Sequence, residues 1–208
     1  LSPEVVDCIV FWTKNPKPML MKLDALGAYA YYFQFTLTGY GADIECGLPD
    51  KKHDIIPTFQ ELSQKIGAQR VIWRYDPILF TENYTPEYHL KAFGEIAERL
   101  CGYTEQCVIS FVDIYAKNQK NMQALRIRSL EESELTAFAA KIARIAHENG
   151  MKVASCAEAV DLSACGIAHN CCIDKDLIAQ ITGCRICADK DKNQRKECGC
   201  VESIDIGT

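Results

Sequence analysis

The sequence predicts an α/β protein built as a partial (βα) barrel with a Cys-rich C-terminal appendage. Three observations carry that reading: short β-rich runs alternate regularly with helical patterns, the strand runs are almost continuously apolar, and seven of the 12 cysteines fall after residue 160. Apolar strands joined by helices form parallel sheets that are covered on both faces. No Gly-rich G-x-G-x-x-G turn follows the first strand, which weakens the doubly wound dinucleotide-binding alternative. The repeat count of five falls short of a complete eight-stranded barrel, so a partial barrel fits best.

Each element has its own local reason. Asp7 to Thr13 is an apolar run bounded by Asn15-Pro16 and reads as a buried strand. Lys17 to Leu26 spaces Met19, Leu20, Leu23 and Leu26 as a helix does and stops at Gly27. Tyr31 to Thr38 is an aromatic and β-branched strand ending in Gly39-Tyr40-Gly41, in which Gln34 meets either the barrel lumen or another buried amide. Asp54 to Ile66 places Ile55, Phe59, Leu62 and Ile66 on one helical face before Gly67. Arg70 to Tyr75 is a strand stopped by Asp76-Pro77, and Thr85-Pro86-Glu87 opens a helix to Cys101, with Thr85 as cap. Gln106 to Asp113 is the fourth strand. Ser129 to Asn149 is the longest helix, with Leu135, Phe138, Ile142 and Ile145 inward and Gly150 after it. Lys152 to Cys156 is the fifth strand, and a short helix from Asp174 to Thr182 lies among the late cysteines. Two regions follow: the partial barrel over 1–156 and the Cys-rich segment over 157–208, packed on one end of the barrel.

A chain of 208 residues with 48% hydrophobic and 25% charged residues can bury a sizeable core. Lys plus Arg is 23 against 28 for Asp plus Glu, a net charge of −5, which argues against a protein built mainly to grip phosphate backbones. Nucleic acid stays open as a partner only through a local patch such as Lys117, Lys120, Arg126 and Arg128, for which a solvated loop is the simpler reading. No membrane-length apolar run or secretory signal is present, so a cytoplasmic location is expected. Both ends read as cut, with a strand only a few residues after Leu1 and a stop soon after a Cys pair, so the chain is expected to be a piece of a longer protein. In a reducing cytosol, 12 cysteines point to metal ligands or redox groups more than to disulfides.

Ligands in parallel βα folds bind at the carboxyl ends of the strands. Those ends carry Lys14 and Asn15, Thr36, Arg74 and Asp76, Asp113, and Cys156 and Glu158, a polar ring suited to a phosphate, carboxylate or amino-acid-like ligand. Arg74 and Asp76 lie two apart on one side of a strand, where a salt bridge is as good a reading as a ligand site. Glu158 also reads as a simple cap. His89 and His147 read as surface residues of helices, and His169 as a solvated loop residue near Cys171.

Cys8, Cys101 and Cys107 read as core, and Cys46 as a lone loop thiol. Cys184-x-x-Cys187 and Cys198-x-Cys200, with Cys171-Cys172, are compatible with zinc, although the second pair is C-x-C rather than a second C-x-x-C. Iron–sulfur clusters also take four thiolates at irregular spacing. Cys156 joined by Cys172, Cys198 and Cys200 would place such a site over the barrel mouth.

Several stretches resemble the prokaryotic domain-of-unknown-function family eighteen-forty-eight over essentially the whole chain. They are Phe11-Trp12-Thr13-Lys14-Asn15-Pro16, Phe35-Thr36-Leu37-Thr38-Gly39-Tyr40-Gly41, Trp73-Arg74-Tyr75-Asp76-Pro77-Ile78, Cys156-Ala157-Glu158, and the closing run from Lys190 through Cys198-Gly199-Cys200 to Gly207. In that family the closing run continues into C-x-x-x-C-x-x-C, the ligand pattern of radical S-adenosylmethionine enzymes, and the Arg-x-Asp-Pro-Ile strand end resembles spore photoproduct lyase. The resemblance implies a partial barrel of the radical-SAM type and a second cluster, of the four-iron kind, on Cys156, Cys172, Cys198 and Cys200, besides the one on the C-x-x-x-C-x-x-C, before which the chain stops. It also implies S-adenosylmethionine as cofactor of the intact protein, and a flavodoxin or ferredoxin as reductant. It assigns no role to Cys165, Cys171, Cys184 or Cys187.

Two readings from different classes result. The first is the core of an iron–sulfur, radical-SAM-like enzyme acting on a small molecule, with Lys14, Asn15, Thr36, Arg74, Asp76 and Glu158 holding cofactor or substrate. The second is a non-catalytic, zinc-stabilised barrel module that binds a small anionic ligand or a partner. A metal-free hydrolase using Asp76, Asp113 and Glu158 ranks last, because it leaves the cysteines unexplained.

Overall fold

The computed structural model describes residues 2–112, 125–156, 158, 160–194 and 198–206. It is an α/β fold around one six-stranded parallel sheet, with strands in the order of the sequence. The strands are β1 (Ile9–Thr13), β2 (Tyr31–Thr36), β3 (Val71–Ile78), β4 (Gln106–Phe111), β5 (Lys152–Ser155) and β6 (Ala168–His169). Sequential order without reversal excludes a doubly wound sheet, whose order turns back at a switch point. Among the described residues β1 pairs only with β2 and β6 only with β5, so the sheet is open. β6 is a sixth strand that the sequence does not reveal. Two residues after Gly166 are too short to show any alternation.

Alternation along the strands divides the sheet between two cores. Phe33, Phe35, Trp73, Tyr75, Cys107 and Ile109 face three helices, α1 (Ile56–Ile66), α2 (Pro86–Leu100) and α3 (Glu132–Glu148). The Trp73 and Phe93 rings stack there, with centroids 4.7 Å apart. On the other face Tyr32, Ile72 and Val108 pack against Ile178 of α4 (Lys175–Thr182). α3 and α4 thus lie on opposite faces of the sheet. The Cys-rich segment contributes a sheet strand and covers the inner face, not only one end.

Several boundaries differ from expectation for physical reasons. Lys17–Leu26 is a 3-10 helix rather than an α-helix, and its buried Leu20 and Leu23, with Leu26 packed beside them, recur every three residues as that helix requires. α1 begins at Ile56 instead of Asp54, preceded by a wider helical turn over Lys51–Ile55. Pro57 has no N–H to donate back to His53, so regular α-helix bonding cannot run through that turn. β3 does not stop at Asp76-Pro77. Its pairing shifts between Tyr75 and Ile78 and resumes at Ile78 with Phe111. Thr85 caps α2 as expected, accepting from the Tyr88 N–H, and Asp174 caps α4. α3 starts at Glu132 rather than Ser129, because Glu131 and Glu134 form a reciprocal capping box that fixes the first turn there. Cys101 is exposed just past α2 rather than in the core, while Cys107 is buried.

His89 is also a correction: it is fully buried, not a surface residue of its helix. One ring nitrogen lies 2.9 Å from the Tyr75 hydroxyl and the other 2.9 Å from the Leu79 carbonyl. A single histidine in a helix gives no sequence clue to these two partners. Burial holds the imidazole pKa below its ordinary 6.5, against the Leu79 hydrogen bond, which raises it. The folded state therefore binds fewer protons than the unfolded chain below that value, and stability falls as pH drops through it. Urea denaturation between about pH 7.5 and about pH 5.5 should show this loss. A His89→Phe, Tyr75→Phe double variant should flatten it.

Candidate functional site

The carboxyl ends of β1, β3, β4 and β5 enclose a cavity of about 300 Å³ with the Cys-rich segment. Trp12, Arg74, Asp76 and Ser110 line it from the strands, Cys156 from the residue after β5, and Cys172, Cys198 and Cys200 from the late segment. Trp12 is about half exposed, and its partner in the sheet is Gln34 of β2.

Cys172, Cys198 and Cys200 are buried together, with Cys156 packed against them. The Cys156 and Cys172 sulfurs are 3.3 Å apart. N–H groups point at three of these sulfurs. Arg74 Nη1 is 2.9 Å and Asn170 Nδ2 3.1 Å from Cys172 Sγ. The backbone N–H groups of Cys172 and Ile173 approach Cys200 Sγ at 3.2 and 3.4 Å, and that of Cys200 approaches Cys198 Sγ at 3.5 Å. The contact with Cys172 and the Ile173 N–H hold the Cys200 thiol below its ordinary pKa despite burial. The Cys156 thiol is pushed up, first by its contact with Cys172 and then by burial.

Arg74 is buried, and its guanidinium is held from several directions. Asp76 accepts from both Nε, at 3.1 Å, and Nη2, and Gln34 Oε1 accepts from Nη1 at 3.2 Å. Gln34 in turn donates to the Cys172 carbonyl at 2.9 Å. Burial works against the guanidinium charge, but Asp76 and the thiols outweigh it and raise its pKa.

The other predicted contacts lie outside the cavity lining. Lys14 pairs with Glu45, which also binds Lys51 and Thr38. Asn15 accepts from the Lys17 N–H, and Thr36 stands beside Arg74 in the sheet. Glu158 accepts from the Phe111 N–H at 2.7 Å, closing the end of β4. Asp113, Lys117 and Lys120 lie outside the described residues. Glu45 carries no sequence signal, because an acidic residue in a turn is ordinarily solvated. His169 is exposed, as are Cys184 and Cys187. Both cations that the sequence places in the ring, Lys14 and Arg74, are thus paired with carboxylates among the described residues.

Among the described residues, no three His, Cys, Asp or Glu side chains surround a common point as ligands of one ion do. Of the four cysteines that pack together, Cys156 and Cys172 have their sulfurs in contact. Their chemistry nonetheless fits a thiophilic metal: four sulfurs lie within one patch, and three of them receive N–H donors.

The glycine of the C-x-C pair has a packing reason. A Cβ at Gly199 would overlap Cys171 Sγ. Gly199→Ala should therefore displace the Cys198–Cys200 turn and speed the reaction of both thiols with an aromatic disulfide reagent. Adding Cys171→Ala should restore the slow rate, and no rescue would place the cause elsewhere.

No curated protein matches the chain in sequence. Among solved structures, a Bacteroides thetaiotaomicron VPI-5482 protein described as an alpha-L-fucosidase aligns over 83% of this chain and 70% of its own, at 13% identity and a TM-score of 0.39, too low to establish a shared fold. No helix among the described residues is long and apolar enough to cross a membrane. The family profile named Domain of unknown function (DUF1848) matches residues 1–208, and the chain belongs to that family.

Proposed function

We propose that the chain is the core of an iron–sulfur, radical-SAM-like enzyme, with residues 1–156 as a partial (βα) barrel and 157–208 as the ligand-bearing segment. One observation carries the reading: Cys156, Cys172, Cys198 and Cys200, from three separate stretches, meet at the carboxyl ends of parallel strands beside a cavity. A cluster held there would supply one-electron chemistry. Arg74 and the N–H donors would balance the charge of its thiolates, and Trp12, Asp76 and Ser110 would face a small-molecule substrate or S-adenosylmethionine. A flavodoxin or ferredoxin is the expected reductant.

The 3.3 Å Cys156–Cys172 spacing favours a second reading, a zinc-stabilised module. Ligands at about 2.3 Å from one tetrahedral zinc lie about 3.8 Å apart, close to this contact. Metal analysis of protein purified without oxygen separates the two. The iron–sulfur reading expects about four irons per chain and broad absorption near ~400 nm, both lost in a Cys198→Ala, Cys200→Ala double variant. A colourless protein with one zinc after iron reconstitution overturns it.

A further inference from the structure

The Cys156 and Cys172 sulfurs lie 3.3 Å apart, and the backbone on each side of the pair is pinned. The Cys156 N–H donates to the Ile109 carbonyl and the Asn170 N–H to the Ser155 carbonyl, each at 2.8 Å, so the sheet ladder sets how β4, β5 and the residue after β6 approach one another. The Cys172 carbonyl accepts from the Tyr32 hydroxyl at 2.6 Å and from Gln34 Nε2 at 2.9 Å. Cys172 Sγ receives Arg74 Nη1 at 2.9 Å and Asn170 Nδ2 at 3.1 Å. Gln106 Nε2 donates to Asn170 Oδ1 at 2.9 Å, which turns the other end of that amide toward the sulfur. Both thiols line the cavity of about 300 Å³. Two thiols held in contact beside a cavity, one of them facing a guanidinium, have the arrangement that thiol–disulfide exchange requires.

We propose that Cys156 and Cys172 form a thiol–disulfide exchange site, which a small organic disulfide entering this cavity oxidises. Cys172 Sγ, as the thiolate, attacks one sulfur of that ligand. A mixed disulfide forms, the ligand's own S–S bond breaks, and the departing thiolate takes up a proton in place of the one Cys172 gave to solvent. Cys156 then loses its proton and attacks Cys172 Sγ, and the second thiolate leaves and is protonated in turn. Two electrons pass from the dithiol to the ligand, which departs as two thiols. Arg74 and Asn170 face the negative charge that Cys172 carries in the first step. No step uses a metal, so the proposal goes beyond the iron–sulfur reading and does not rest on it.

The test uses the full chain purified without oxygen, with the exposed thiols silenced by Cys46→Ser, Cys101→Ser, Cys184→Ser and Cys187→Ser, and hydroxyethyl disulfide as the probe. Mass spectrometry of the intact chain and of its peptides should show a Cys156–Cys172 disulfide with no lasting adduct on either residue. Adding Cys156→Ala should abolish that disulfide and stop the reaction at a mixed disulfide on Cys172. Cys156→Ser decides the same point if the alanine variant does not fold. Thiols that stay reduced, or a disulfide that joins Cys172 to another cysteine, overturn the proposal. Metal content measured on the same samples keeps the two readings apart. A chain that binds iron and forms no disulfide overturns the exchange site and leaves the iron–sulfur reading standing, and a chain that takes up no iron and forms the disulfide does the reverse.

Discussion

The buried guanidinium of Arg74 sets the terms for everything around it. A charge removed from water must be paired and hydrogen-bonded, and an uncompensated one costs several kcal/mol. Asp76, two residues on along the same strand face, supplies the counter-charge, while Gln34 and Cys172 take the remaining directions. Gln34 then holds the Cys172 carbonyl, so β2, β3 and the late segment are tied at one point. The Tyr32 hydroxyl donates to the same carbonyl at 2.6 Å and receives the Asp174 N–H, which joins the start of α4 to that point as well.

That arrangement explains why the Cys-rich segment packs on the inner face. Below Arg74 the face is apolar, with Tyr32, Ile72 and Val108 covered by Ile178. Above it the face is polar and open to the cavity. α4 covers the apolar part and leaves the thiols at its edge, so one short helix both buries the sheet and places Cys172. Burying those side chains contributes roughly 1.5–3 kcal/mol each, which is what holds a segment with little helix of its own.

The elements were legible because they rest on local chemistry: apolar strand runs, Thr85 and Asp174 as caps, Gly67 and Gly183 as stops. Sequence spacing, together with the family resemblance, also singled out Cys156, Cys172, Cys198 and Cys200, which the fold does bring together. What was not legible is pairing across the chain. Glu45 finds Lys14, His89 finds Tyr75, and Asn170 finds Gln106 only after the sheet has set their distances. None of these pairs shares a helix face or strand alternation that a linear pattern could expose.

The same limit governs the chemistry of the site. Read along the chain, the polar ring at the strand ends points to a ligand with negative charge, since Lys14 and Arg74 are its cations. Once folded, each is matched by a carboxylate, Glu45 or Asp76, and the rest of the cavity lining includes Trp12, Ser110, Gln194 and the sulfurs. Charge that is already paired attracts an anion weakly and loses its own partner if it rebinds. An anion entering this cavity would therefore have to displace Asp76 from Arg74, so the pairing that buries the guanidinium also limits what its charge can attract.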